Sequence, residues 1–282
     1  MKTILVPTDF SKHAANALAY AASLAEGLEA KIWLLHTYHV PAAYTEIPAA
    51  VQIEHDIEVD AEKELKQLIA NLKRTRGSLF NIEYINKEGF LIDTLPELVK
   101  EKAVDLIVMG TQGASGLEQV LLGSYTADVV EKVDCPVLVI PAYAPFHKPE
   151  KIMYATDFQF NDFTCINQVA DLAKAFDAEI EITHISIHEK NKEQEEDLMD
   201  WFMEIAESNI AYSKLSYRTF TGENVLEKLN ATVTESGIEL LCMSTVRRTF
   251  FEKIFNSSLT KKMVYQTQIP LLVFHIQEPN RL

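Results

Sequence analysis

The sequence of 282 residues contains one pattern twice, and this repeat constrains the fold more than any other feature. Residues 2–10 align without gaps with residues 150–158, and the register continues through the next helix and strand. Near the end of each copy, residues 109–136 align with residues 243–270. Self-similarity over this length predicts two copies of one domain.

A proline-rich segment lies between the two copies. Residues 141–149 contain three prolines, which disfavour both helix and sheet and predict a linker. We therefore place one domain at residues 1–142 and the other at residues 149–282.

Each copy alternates apolar strands with amphipathic helices. This order predicts an α/β fold in which a parallel sheet is covered by helices on both faces. In the first copy we expect strands near 3–7, 31–37, 80–86, 104–109 and 136–140, and helices near 11–27, 54–75, 91–102 and 124–132.

A glycine-rich loop follows the predicted strand at 104–109. It contains the pattern Gly110, Gly113, Gly123 and Ser124, and the serine can cap the helix that follows. Glycine lets a backbone approach an anion closely, and the positive end of the helix dipole favours phosphate. The pattern predicts nucleotide binding; the alternative is a tight loop with structural glycines.

Several polar or small residues fall where the predicted strands end. Ligands of such sheets bind beyond the carboxyl ends of the strands, so one crevice can collect Asp9, His36, Gly89 and Gly110. For Asp9 the alternative is a helix N-cap, and both roles can hold at once. His36 has a counterpart in His184, which favours packing or a hydrogen bond over metal binding.

Composition excludes several classes of function. The net charge of −15 argues against nucleic acid and acidic membranes, and no stretch is apolar enough for a membrane span. The three single cysteines have no metal-ligand spacing, and the early acid at the N-terminus is unlike a signal peptide. We expect a cytoplasmic protein with no metal site and no catalytic constellation.

The chain resembles the universal stress protein family in both copies. The resemblance is carried by the strand that ends at Pro7-Thr8-Asp9, by the glycine motif ending at Ser124, and by the closing strand Cys135–Ile140. It implies two tandem five-stranded parallel sheets of the Rossmann-like, adenine nucleotide alpha hydrolase-like kind. In the ATP-binding branch it also implies ATP in the crevice, which Mg²⁺ can accompany.

The resemblance further implies a set of nucleotide-binding residues in the first copy. One group borders the adenine and ribose, the residues after the second strand flank the base, and the glycine loop holds ribose and phosphates. These residues are Pro7, Thr8, Asp9, Thr37, Tyr38, Met109, Gly110, Gly113, Gly123, Ser124 and Tyr125.

The second copy departs from this pattern. Ser244, Arg247 and Ser257 stand opposite the three glycines, although Asp157 persists opposite the first-copy aspartate. Because side chains replace bare backbone there, we predict that the second domain binds no ATP in the family's mode. Arg247 and Arg248 either form a solvated turn or reach toward the first domain.

Three functions stay open at this point. The first is a regulatory adenine-nucleotide-binding protein that acts on an unknown protein partner. The second is a slow ATPase or phosphotransferase, for which Asp9 is the nearest acid. The third is a structural scaffold. We also expect residues 137–140 to pair with 271–274 within the chain, and a homodimer of the whole unit is a further possibility.

Overall fold

The computed structural model describes most of the chain. The described residues are 1–40, 50–77, 80–111, 124–142, 144–159, 161–186, 192–246, 259, 263 and 268–276. The predicted glycine loop between 112 and 123 lies outside this set.

Strands and helices alternate as predicted from the strand at 3–7 to the strand at 137–140, and from the strand at 151–155 to the strand at 240–246. The strands are β1 Thr3–Pro7, β2 Lys31–Tyr38, β3 Ile82–Glu88, β4 Leu106–Gly110, β5 Val137–Ile140, β6 Lys151–Ala155, β7 Glu179–Ser186, β8 Leu215–Thr221, β9 Leu240–Val246 and β10 Leu271–Ile276. The described helices are α1 Lys12–Leu28, α2 Ala50–Arg76, α3 Leu91–Glu101, α4 Ser124–Lys132, α5 Asp162–Phe176, α6 Lys192–Asn209 and α7 Val225–Glu235.

The ten strands of the described residues form one sheet in the order β3-β2-β1-β4-β5-β10-β9-β6-β7-β8. Neighbouring strands are parallel except at the centre, where β10 runs antiparallel to β5 with Leu272 opposite Leu138. The predicted pairing of the two closing strands within one chain is therefore confirmed. The strand order is symmetrical about this seam, so an approximate twofold axis relates the halves.

The two halves also contact each other through helices on one face of the sheet. The ring of Phe176 in α5 lies so close to Gly27 in α1 that a Cβ on this glycine would be 2.4 Å from Cε1 of the ring. Both helices end on a residue in the left-handed conformation, Glu29 and Asp177. Across the described residues, no helix combines the length and apolarity that crossing a bilayer requires.

Candidate functional site

The candidate site lies where the strand order of the first half changes direction. Strand β1 pairs with β2 on one side and with β4 on the other, which makes the β1–β4 boundary the switch point. Leu5 is level with Ile107. Continuing this register brings the end of β1 at Pro7 beside the end of β4 at Gly110, as the sequence predicts.

Thr8 is fixed by three hydrogen bonds directly after β1. Its N–H donates to the Leu35 carbonyl at 2.7 Å, and its own carbonyl faces His36 Nδ1 at 2.8 Å. Its Oγ1 accepts the N–H of Phe10 at 3.1 Å, and Phe10 adopts a positive φ of 63°. The phenyl ring then packs against the imidazole of His36. His36 therefore has the packing and hydrogen-bonding role that the repeat predicts.

Asp9 is exposed beside the first turn of α1. Its Oδ1 accepts the N–H of Ser11 at 3.0 Å. The N-cap of α1 is Ser11, whose Oγ accepts the N–H of Ala14 at 3.1 Å. The N-cap interpretation of Asp9 is therefore wrong, because the helix begins two residues later than that role requires. The Asp9 carboxylate instead shapes the loop between β1 and α1.

Gly110 ends β4 against the backbone of α1. A Cβ at this position would be 3.0 Å from the carbonyl oxygen of His13, a close approach that favours glycine here on packing grounds. The Gly110 carbonyl accepts a hydrogen bond from Thr126 Oγ1 in α4 at 2.8 Å. Thr126 was not predicted from the sequence; it lies two residues after Ser124, in the first turn of α4, and the structure shows that it is buried. Helices α1 and α4 therefore both contact the end of β4 at Gly110.

The remaining predicted residues are distributed around this core. Thr37 and Tyr38 end β2, and the Tyr38 carbonyl accepts the N–H of Gly89 at 2.7 Å. Burial and, less strongly, nearby carboxylates led by Glu58 raise the pKa of the Tyr38 phenol. Tyr125 is exposed at the beginning of α4. Gly113, Gly123 and the side chain of Ser124 lie outside the described residues, and Met109 is buried in β4.

The second half has a buried carboxylate at its own switch point, between β6 and β9. Asp162, fully buried in the first turn of α5, accepts hydrogen bonds from Tyr154 Oη at 2.7 Å and Ser244 Oγ at 2.9 Å on Oδ1. Its Oδ2 accepts Thr156 Oγ1 at 2.7 Å and the N–H of Gln159 at 3.2 Å. Four donors therefore compensate for the burial of this carboxylate.

The same positions in the first half carry small side chains. The internal alignment sets Ala14 opposite Asp162, and Gly110 opposite Ser244. The first half therefore lacks the polar cluster that fills the second. The buried negative charge of Asp162 at the second switch point disfavours an anionic ligand nearby through like-charge repulsion.

Asp157, the counterpart of Asp9, lies near this cluster. Burial raises the pKa of the Asp157 carboxyl, the His184 charge lowers it and the Asp162 charge raises it. His184 repeats the role of His36, because its Nδ1 lies 3.0 Å from the Thr156 carbonyl. Predicted residues Arg247, Arg248 and Ser257 lie outside the described part of the chain.

Comparison with known proteins agrees with this architecture. Residues 1–141 match the model of the Universal stress protein family. A universal stress protein of Methanocaldococcus jannaschii is 30% identical over 142 residues, which cover 49% of this chain and 81% of the relative.

Two further matches extend over both halves. A universal stress protein of Synechocystis is 23% identical over 302 residues, covering 97% of this chain and 100% of the relative. The crystal structure of a universal stress protein from Archaeoglobus fulgidus superposes with a TM-score of 0.73 and 18% identity, covering 97% of this chain and 98% of that one. The chain belongs to the universal stress protein family, and its two halves repeat the fold of that family in tandem.

Proposed function

We propose that this protein binds ATP in the first-half cleft and serves as a regulatory nucleotide sensor in the cytoplasm. The binding domain is residues 1–142, and the domain at 149–282 binds no ATP. The observation that supports this asymmetry is the switch point itself. The first half has Ala14 and Gly110 where the second places the buried pair Asp162 and Ser244.

The described residues fit an adenine nucleotide in several respects. The ends of β1 and β4 lie side by side at Pro7 and Gly110, with Asp9 exposed beside them and α4 beginning nearby at Ser124. The N-terminus of α4 favours negative charge through its dipole. Asp9 and Thr8 would border the adenine and ribose, and Thr37 would flank the base.

The phosphates would be held chiefly by backbone N–H groups from the loop containing Gly113 and Gly123. Residues 111–124 contain no Lys or Arg, and Glu118 adds a negative charge. Mg²⁺ would supply the missing positive charge by binding phosphate oxygens. This arrangement supports binding rather than hydrolysis. Hydrolysis would need a general base beside the phosphates, whereas Asp9, the nearest acid, accepts the N–H of Ser11 and stabilises the loop between β1 and α1.

The experiment is calorimetric titration of the full chain with ATP and Mg²⁺, using matched variants from the two halves. We expect one ATP per chain. Asp9→Asn keeps an acceptor for the Ser11 N–H but removes the charge, and we expect it to weaken binding at least about tenfold, or about 1.4 kcal/mol. Asp157→Asn, its counterpart, should leave affinity unchanged.

The other outcomes separate the alternatives. Two ATP molecules per chain would contradict the inactive second half. No binding at millimolar ATP would support the scaffold. The remaining alternative, a slow ATPase, is tested by chromatography of the nucleotides after incubation with ATP. ADP that is formed by the parent protein and not by Asp9→Asn would indicate an ATPase.

A further inference from the structure

The twofold-related halves have equivalent grooves beside α1 and α5, and the chain itself covers the first. Beside α1, the segment that follows β5 forms a turn in which the Ala144 N–H donates to the Pro141 carbonyl at 3.1 Å. Asn16 Nδ2 donates to both carbonyls of this turn, at 3.3 Å to Pro141 and 3.2 Å to Ala144. One helical turn further along α1, the rings of Tyr20 and Phe146 pack edge to face, with their centroids 4.9 Å apart. This groove therefore holds a short non-helical peptide segment.

The second groove is a cavity of about 350 Å³ between α5 and the β5–β10 seam. Thr164 and Gln168 line it from α5, at the positions that correspond to Asn16 and Tyr20. The opposite wall includes residues 274–276 at the end of β10 and residues 134–136, which precede β5 in the other half. The volume lies in the range of ligand sites, about 300–1,000 Å³.

The chemistry of this cavity suits a peptide. Cys165 and Phe274 supply buried apolar surface, and Gln168 adds an amide that can donate to a carbonyl and accept from an N–H. Among the residues that the structure describes, no hydrogen bond is formed by the Gln168 amide. His275 also lines the cavity, but its ring nitrogens face carbonyls of the first half.

The negative charge around the cavity indicates which kind of peptide would bind. Asp134 lies in the cavity wall, and the chain carries a net charge of −15. Both features favour a ligand with a basic residue and disfavour a second copy of this acidic chain. In the linker that occupies the first groove, Phe146 is likewise followed two residues later by Lys148, whose charge acts on Asp177 at the end of α5.

We propose that the α5 cavity binds a short non-helical segment of a partner protein, in which an apolar side chain is followed closely by a basic one. The apolar side chain packs on Cys165 and Phe274. The backbone of the segment hydrogen-bonds to Gln168, and the basic group lies near Asp134. This inference does not depend on nucleotide binding, because none of these residues belongs to the first-half cleft.

The test uses the linker sequence itself as the probe. A fluorescein-labelled synthetic peptide with the sequence of residues 141–149 is titrated with the full chain, and its anisotropy is measured. We expect saturable binding that Gln168→Ala weakens about fivefold, as the loss of one or two hydrogen bonds predicts. Asp171→Ala, an exposed change on the same helix, serves as the matched control and should not alter affinity.

Three results would overturn the proposal. The first is an absence of saturable binding, and the second is binding that is indifferent to Gln168→Ala. The third is tighter peptide binding by a variant that ends at Ile276, since it would assign the cavity to residues 277–282 of the chain rather than to a partner. Circular dichroism of Gln168→Ala checks that the variant is folded.

Discussion

Replacing Asp162 with alanine should strongly destabilise the second half, although alanine is the residue that the first half has at the equivalent position, Ala14. The change leaves four donors without their acceptor: Tyr154, Thr156, Ser244 and the N–H of Gln159. An orphaned buried donor costs about 1–3 kcal/mol, and relief of the buried charge offsets part of the total. Since Tyr154 is fully buried and its phenol has no access to water, we expect a net loss of about 3 kcal/mol.

Urea unfolding followed by tryptophan fluorescence measures this loss. The sequence has two tryptophans, Trp33 in β2 and Trp201 in α6, so a Trp33→Phe background reports on the second half alone. Ser244→Ala is the comparison variant and should cost about 1 kcal/mol, because Asp162 keeps three donors.

A double-mutant cycle tests the reason for the loss. Tyr154→Phe removes the donor that Asp162→Ala would orphan, so the double variant should be more stable than the sum of the single effects predicts, by at least about 1 kcal/mol. Strict additivity, or a loss below about 1 kcal/mol for Asp162→Ala, would refute the reasoning that the carboxylate is held by its buried donors.

Three other perturbations have definite expected outcomes. Gly110→Ala should cost about 1–3 kcal/mol in thermal unfolding because its Cβ would crowd the His13 carbonyl; a change below about 0.5 kcal/mol would contradict that packing. His275→Leu removes a hydrogen bond to the Val130 carbonyl across the seam, and hydrogen exchange should show faster opening of the end of α4; unchanged exchange would count against this contact. Burial raises the pKa of the Cys135 thiol to about 12, so the folded state retains a proton that the unfolded chain loses near pH 9. Unfolding free energy should therefore fall between about pH 9 and 12, by up to about 1.4 kcal/mol per pH unit, and Cys135→Ala should reduce that slope.

The fold could be predicted from the sequence because apolar strands and the internal repeat each constrain the same architecture. Parallel strands with a uniform apolar pattern bring their carboxyl ends to one edge, which is why Asp9 and Gly110 were predicted to share a crevice. The pairing of 137–140 with 271–274 followed from the same pattern, since an apolar edge strand needs a partner.

The polar cluster of the second half could not be predicted in the same way. A lone aspartate at the beginning of a helix resembles an ordinary exposed acid in the sequence. Its meaning depends on Tyr154 and Ser244, which are distant in sequence and converge only in the folded sheet. Alignment of the two copies is the sequence evidence that could indicate the cluster. Three apolar or small residues of the first copy, Val6, Ala14 and Gly110, are replaced in the second copy by the polar residues Tyr154, Asp162 and Ser244. The role of Ser11 as N-cap was missed for a simpler reason: Asp9 and Ser11 are both good capping residues, and only backbone geometry distinguishes them.

The antiparallel seam between β5 and β10 has a consequence for how the protein can evolve. In a symmetric homodimer one gene encodes both clefts, so a substitution that closes one cleft closes the other as well. Here the two closing strands belong to a single chain, and each cleft is encoded separately. A mutation in one half therefore leaves the other half's chemistry intact while the shared sheet is preserved. Covalent fusion allows one cleft to keep Gly110 while its counterpart acquires Ser244 and a buried carboxylate.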